Sequence, residues 1–332
     1  MEYVKREQMS MLNGSFALRE AISQHIRRTR GIQTTPDEIV IVNGSMQAIA
    51  ILTHLLINPS DSVVMENPCY AGIEKAVSVV GGVPVFSDVD QQGMQVNDWD
   101  ARLLFVTPNR QFPTGAVLSL DRRQQLLQWA MKNSAMIVED DYDSEFRHKG
   151  RPIESLKVLD NSGVVIYIGS FSKTLLQDLR IGYAILPSYL VEPFVKAMRL
   201  FEPYPSSMLE QSTLAKFMSS GMYERHLRKL NRVYRQKYEV LQTAFKQKLS
   251  SVFTIVDADV GTHLYAIWNG SMESYQAFRA VCRKRGYNWT DATANFHRNS
   301  IPSACFGFTH LTLQEIEEGV EGISTNIDSI MI

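Results

Sequence analysis

Apolar residues in the first part of the chain come in short continuous runs rather than alternating with polar ones. The runs are 39–42 (IVIV), 62–66 (SVVME), 83–88 (VPVFSD), 103–107 (LLFVT), 135–140 (AMIVED), 164–169 (VVIYIG) and 182–187 (GYAILP). Continuous runs of this length, rich in β-branched residues, predict strands covered on both faces. Segments with helical character lie between several of them. Ser45 to Leu56 is one. Asp121 to Lys132 is another, preceded by Ser119, whose hydroxyl suits an N-cap. Strands alternating with helices need crossover connections, so the pattern predicts an α/β fold with a mostly parallel seven-stranded sheet and helices on both faces. Ligands in such sheets bind beyond the carboxyl ends of the strands. The chemistry is therefore expected just after these runs.

The texture changes after Pro187. Residues 188–201 read as a helix, Pro203 and Pro205 break the chain, and a long helical stretch follows from about Ser207 to Leu249. Within it Tyr223, Leu227, Leu230, Tyr234 and Leu241 keep helical spacing, while Arg225, Arg228, Lys229, Arg232 and Arg235 mostly fall on other faces. That basic stripe reads first as a solvated face and second as a surface for DNA or a partner. The tail, 253–332, mixes short strands (HLYAIW, ACFGFTH) with a final helix near Leu313–Ile323, and predicts a smaller α+β domain. The expected organisation is a large domain over 15–200, a small one over 201–332, and residues 1–14 as an N-terminal arm.

Composition narrows the function classes. The 332 residues are 45% hydrophobic and 21% charged, as in an ordinary soluble protein, and the net charge of −1 gives no global attraction to nucleic acid or anionic membrane. The longest apolar stretch, Ile39 to Ile57, is interrupted by Asn43, Ser45, Gln47 and His54, so no membrane span is expected. The start MEYVKREQMS is polar, so no signal peptide is expected. Cys69, Cys282 and Cys305 are odd in number and far apart, which suits a reducing, cytoplasmic setting and offers no metal-ligand spacing.

Four strand ends carry candidate chemistry, and each has a plain alternative. Lys173 follows the run at 164–169 among Ser170, Ser172 and Thr174. It is either a surface cation or a buried amine whose lost solvation makes it a nucleophile able to form a Schiff base with an aldehyde. Glu139, Asp140 and Asp141 stand together after another strand. They are an acidic turn, a magnesium site, or a carboxylate that keeps a pyridine ring nitrogen protonated, with Tyr142 placed beside it. VNGSMQAI, 42–49, is a strand–glycine–helix turn, generic in α/β folds but suited to phosphate. Tyr70, in ENPCY, packs in the core or stacks on a flat ring. Ser170 and Arg180 add a hydroxyl and a guanidinium suited to phosphate.

The stretches TPNRQFPTGAVLSLDRR, VEDDYDSEFRHKGRPIESL, VIYIGSFSKTLLQDLRIGYAILP and SSMLEQSTLAKFMSSGMYERHLRKLNRVYRQK resemble the fold-type I aminotransferase superfamily. More closely, they resemble the aminotransferase-like domain of MocR/GabR transcription regulators, over about Leu12 to Val320. The resemblance implies pyridoxal 5'-phosphate in Schiff-base linkage with Lys173. It implies Asp140 on the pyridine nitrogen, Tyr142 on the phenolic oxygen and Tyr70 on the ring. Ser45, Met46 (by its backbone), Ser170, Ser172 and Arg180 are the residues implied at the phosphate.

Three departures bear on the function. Phe112 stands where aminotransferases have the asparagine of an Asn-Pro-Thr-Gly motif. His310, in FGFTHL, stands where they place an arginine for the substrate carboxylate. Gly72 stands where relatives that bind γ-amino acids have a second arginine. Arg110 and Arg298 are the candidates for a moved anchor, and no response to γ-aminobutyrate is expected. These departures favour a sensor with at most a weak transaminase half-reaction, in which a small amine or amino acid displaces Lys173 as an external aldimine. The alternative is a free-standing aminotransferase. The resemblance further implies a homodimer, and contact with DNA through a winged helix-turn-helix that is not expected within this chain.

Overall fold

The computed structural model describes residues 12–146, 154–256 and 261–327. The helices are α1 (Phe16–Arg30), α2 (Ser45–Leu56), α3 (Ala71–Val79), α4 (Leu120–Asn133), α5 (Leu156–Leu159), α6 (Ser188–Phe201), α7 (Met208–Ser219), α8 (Met222–Lys248), α9 (Met272–Lys284) and α10 (Leu313–Ser324). The large sheet is built from β1 (Ile39–Val42), β2 (Ser62–Asn67), β3 (Val83–Asp90), β4 (Gly93–Met94), β5 (Leu103–Val106), β6 (Met136–Asp141), β7 (Val165–Ser170) and β8 (Gly182–Ile185). A second sheet holds β9 (Phe253–Val256), β10 (His263–Trp268), β11 (Thr290–Asp291) and β12 (Ser303–Gly307).

The large sheet runs in the order β1-β8-β7-β6-β5-β2-β3-β4. From β7 to β3 the neighbours are parallel, while β8 runs antiparallel to both β7 and β1. All seven expected strands form. Among the described residues the sheet nevertheless has eight, because β4 pairs with β3 in a hairpin; at two residues it is too short to leave a periodic signal. Val40, Ile49, Val63 and Phe194 pack on one face of the sheet, and Leu104, Leu126, Trp129 and Ile137 on the other. Both faces exclude water, which is why the strands read as unbroken apolar runs.

The long helical stretch is two helices. Gly221 takes φ 73 between α7 and α8, a left-handed conformation that glycine adopts without a Cβ penalty. Tyr223 and Leu227, early in α8, pack with α1, α7 and the β1–β8 edge. Tyr238, Leu241 and Phe245, later in the same helix, pack on the small sheet with Phe278 and Phe306. One helix thus reaches both cores. Arg225, Arg228, Lys229, Arg232 and Arg235 lie on its exposed face.

The strand order reverses between β2 and β5, since β3 lies outward on one side and β6 and β7 on the other. At such a switch point the connections leave in opposite directions and open a crevice at the carboxyl ends. Tyr70 follows β2 there, and Phe112 follows β5.

Candidate functional site

A cavity of about 280 Å³ opens at this edge. Gly44, Ser45, Met46, Ser170, Ser172, Lys173 and Arg180 line one part of it, and Tyr70, Thr107, Phe112, Asp140, Tyr142, Thr262 and His263 the rest. Every cofactor residue expected from the sequence is therefore gathered in one place. A larger open groove, about 790 Å³, runs between α8 and α10 past Glu239, Glu317, Glu318 and Glu321. It lies away from these strand ends and brings together no such set.

The carboxylates are sorted by the pleat of β6. Successive side chains point to opposite faces, so Glu139 and Asp141 share one face and Asp140 takes the other. Glu139 accepts hydrogen bonds from the backbone of Leu156 (3.2 Å) and Lys157 (2.9 Å) and lies 4.0 Å from Arg123. Asp141 accepts from Tyr167 Oη at 2.5 Å and Arg30 Nε at 3.1 Å. Asp140 alone of the three enters the cavity, where its buried Oδ1 has no partner among the described residues. Burial first, then the charges of Asp141 and Asp143, push its pKa up to about 7.

The opposite wall is built by turns. Ser170 ends β7, its hydroxyl accepts from the Ser172 amide at 3.2 Å, and Lys173 follows in the next turn. Lys173 is exposed at the cavity rather than buried. Gly44 takes φ 79 and ψ 166 immediately before α2, a conformation essentially reserved for glycine. A Cβ there would lie 2.9 Å from Arg180 Nη2. The start of α2 and the Arg180 guanidinium, which donates to Asn43 O at 3.3 Å, thus sit side by side as an anion cradle.

The Phe112 ring makes T-shaped contacts with Tyr70, Tyr142 and His263, with ring centroids 5.8, 6.0 and 6.1 Å apart. Behind Tyr142 and His263 lies Arg110, almost fully buried. The two hydrogens of its Nη1 are shared among Tyr142 Oη (3.2 Å), Asp143 Oδ2 (3.0 Å) and His263 Nδ1 (3.1 Å), and its Nη2 donates to His263 O (3.0 Å). Burial, then Asp143, raises the Tyr142 phenol well above its usual range, so it stays a donor.

The three residues considered for a carboxylate are dispersed. Arg110 sits in the wall, as above. Arg298 is half-exposed and paired with Asp88 at 3.0 Å. His310 is exposed beyond β12. Three further residues line the cavity without a signal in the sequence: His263, Thr262 and Thr107. His263 opens the HLYAIW strand, but nothing local reveals that this strand end faces the large sheet. Burial pushes the Cys305 thiol, on β12, up to about 12 and keeps it neutral, and all three cysteines are buried and free.

The cavity suits pyridoxal phosphate. Asp140 Oδ1 needs a donor, which a protonated ring nitrogen supplies; Tyr142 can donate to a phenolic oxygen; the Gly44–Arg180 cradle suits a phosphate.

The family model for "Aminotransferase class I and II" matches residues 4–323. The chain is 34% identical over 316 residues to "Probable rhizopine catabolism regulatory protein MocR" of Rhizobium meliloti, covering 94% of this chain and 64% of that protein. It is 30% identical over 319 residues to "Uncharacterized HTH-type transcriptional regulator YdeL" of Bacillus subtilis, covering 93% and 67%. The chain thus spans about two thirds of the length of these relatives. Among solved structures, the archaeal alanine:glyoxylate aminotransferase superposes with TM-score 0.88 at 23% identity, over 99% of this chain and 85% of that one. The Pyrococcus horikoshii kynurenine aminotransferase gives 0.87 at 24%, over 96% and 81%. At these identities the structures speak for the fold alone. By its fold, its cavity and these relatives, the chain belongs to the aminotransferase class I and II family, in the branch that forms the aminotransferase-like part of MocR-type regulators.

Proposed function

We propose that this chain is the effector-sensing and dimerisation part of a bacterial MocR-type transcription regulator, that it holds pyridoxal 5'-phosphate at Lys173, and that its signal is a small amine or amino acid. When bound, that cofactor supplies an aldehyde that captures a primary amine and a ring that draws electrons from it. The carrying observation is the buried, unpartnered Asp140 Oδ1 in the same cavity as Lys173. Asp140 would keep the ring nitrogen protonated, Tyr142 would donate to the phenolic oxygen, and Tyr70 would lie against the ring. The backbone of Ser45 and Met46 with Ser170, Ser172 and Arg180 would hold the phosphate. Residues 15–200 would form the cofactor-binding unit and 201–332 the smaller one. Two such chains would pair in the cytoplasm, with DNA bound by winged helix-turn-helix modules outside this chain. Differential affinity of the signal for two arrangements of that dimer would transmit the response.

The second reading is a free-standing aminotransferase. It draws on the fold and on a relative at 24% identity, aromatic-amino-acid aminotransferase 1 of Thermococcus litoralis. Phe112 weighs against it, since it offers no polar group to cofactor or substrate. Two measurements separate the readings. Pyridoxal phosphate added to the purified protein is expected to give a visible absorption band that Lys173→Ala removes. Incubation with amino acids and 2-oxo acids is expected to give no sustained product, whereas turnover of about 1 per second or more would establish the enzyme.

A further inference from the structure

We infer that the signal recognised in this cavity is a primary amine that carries no carboxylate. The inference rests on the proposed function and deepens it by naming the class of ligand.

Positive charge decides the matter, because a desolvated carboxylate needs a cation or several aimed donors. Among the described residues, Lys173 and Arg180 are the only cations that line the cavity. The proposed function already assigns both, one to the captured amine and one to the phosphate. The part of the cavity around Phe112 contributes rings and hydroxyls. The Phe112 ring lies across three other rings there, those of Tyr70, Tyr142 and His263.

His263 is the remaining basic side chain there, and Arg110 fixes it in the neutral form. A guanidinium can only donate, so His263 Nδ1, 3.1 Å from Arg110 Nη1, is the acceptor. The ring proton then lies on Nε2, 3.2 Å from the Pro113 carbonyl that accepts it. Protonating Nδ1 would set an N–H against a guanidinium, and burial together with Arg110 holds the imidazole well below its usual pKa.

Arg110 is not free to serve. Its charge is answered by Asp143 at 3.0 Å, and it is 2% exposed. Backbone closes over it from the other side: a Cβ at Gly261 would lie 2.1 Å from its Cζ. A cation beyond Tyr70 is also closed off. A Cβ at Gly72 would meet Tyr70 Cε1 at 2.5 Å and the Met46 sulfur at 2.9 Å, so no side chain fits there without displacing Tyr70. A carboxylate entering this space would lose its water and, among the described residues, meet no unassigned cation. An uncharged carbon body would gain apolar contact instead.

The test uses the protein loaded with pyridoxal phosphate and follows the visible band. It is titrated with pairs that differ only in a carboxylate: phenethylamine against phenylalanine, and propylamine against γ-aminobutyrate, compared at equal free-base concentration. The amine of each pair is expected to shift the band at a concentration at least about tenfold lower, or 1.4 kcal/mol. Phe112→Arg, which supplies a cation in the cavity, is expected to lower that ratio at least about threefold, or 0.7 kcal/mol. A band that responds equally well or better to the acids overturns the inference and points to a cation from outside the described wall. So does a ratio unchanged in a folded Phe112→Arg protein, or a band that no member of either pair shifts. Absence of any band on loading is a different failure. It removes the proposed function, and the inference with it.

Discussion

Asp140 shows what a strand does to three carboxylates in a row. Glu139 and Asp141 find backbone amides, arginines and a tyrosine on one face of β6, whereas Asp140 is left on the other with an unpartnered oxygen. The sequence makes the triple visible and leaves the magnesium and acidic-turn readings open; the pleat decides which residue faces the cavity. A consequence follows for the cofactor-free protein. Asp140 titrates near 7 in the fold against an ordinary value of 3.8, so the unfolded chain gives up this proton first. The stability tied to the neutral form is complete below about pH 4 and is lost as pH rises toward 7. Asp140→Asn, neutral at every pH, is therefore expected to gain thermal stability over the parent as pH rises from 4 to 8. The gain would reach a few kcal/mol at most, at ~1.4 kcal/mol per unit. A difference in melting temperature that stays constant over that range would remove the argument. Contacts between distant residues were beyond reach from sequence. Arg110 and His263 are 153 positions apart, and their contact depends on packing across two sheets.

Elements were legible where one period persists. The buried strands and α2, α4, α6 and α10 follow from apolar spacing and caps such as Ser119, whose hydroxyl accepts from the Arg122 amide. The hairpin strand β4 and the turn at Gly221 were not, because each depends on a few residues whose conformation the period does not encode. The start of α2 carries its own prediction. At Gly44 an alanine would meet a backbone region that costs about 1–3 kcal/mol and would crowd Arg180. Gly44→Ala is expected to weaken binding of pyridoxal phosphate about tenfold or more and to lower the melting temperature, as absorbance titration and thermal denaturation would register. Unchanged affinity in a destabilised protein would separate the turn from the anion site.

The link between α1 and β6 is a second element-level device. Arg30, at the end of α1, holds Asp141 (3.1 Å) and Glu145 (3.0 Å). Burial alone would raise the Glu145 pKa, but Arg30 and the His25 hydrogen bond outweigh it and hold it at about 2. The sign here is opposite to that of Asp140. This stability is present above the ordinary value of 4.5 and is lost as pH falls toward 2. Arg30→Leu takes from both carboxylates the cation they share and is expected to cost about 3 kcal/mol at pH 7. The gap should narrow below pH 4.5, and urea unfolding at several pH values would show whether it does.

Across the whole molecule, the strand order accounts for the position of the cavity, at the reversal between β2 and β5, and the apolar runs made that sheet predictable. What covers the outer surface was not predictable, because exposure depends on how the helices pack. Leu200, Phe201, Tyr204 and Leu209 fall within ten residues at the junction of α6 and α7 and are 80%, 70%, 83% and 78% exposed. A cluster of large apolar side chains on a chain of ordinary composition calls for a cover. Helices α6 and α7 bury their other faces on the large sheet and on α1, which fixes the patch in place. The proposed homodimer is the natural cover, and apolar contact would then dominate its stability. The double variant Leu200→Glu, Phe201→Glu places four carboxylates across a twofold interface, two from each copy, and is expected to raise the dimer dissociation constant at least about 100-fold, or 2.7 kcal/mol. Both side chains are exposed in the single chain, so its fold and thermal unfolding at high dilution should change little. Sedimentation velocity over a concentration series would show a folded monomer; a variant that sediments as the parent dimer would place the interface elsewhere on the surface.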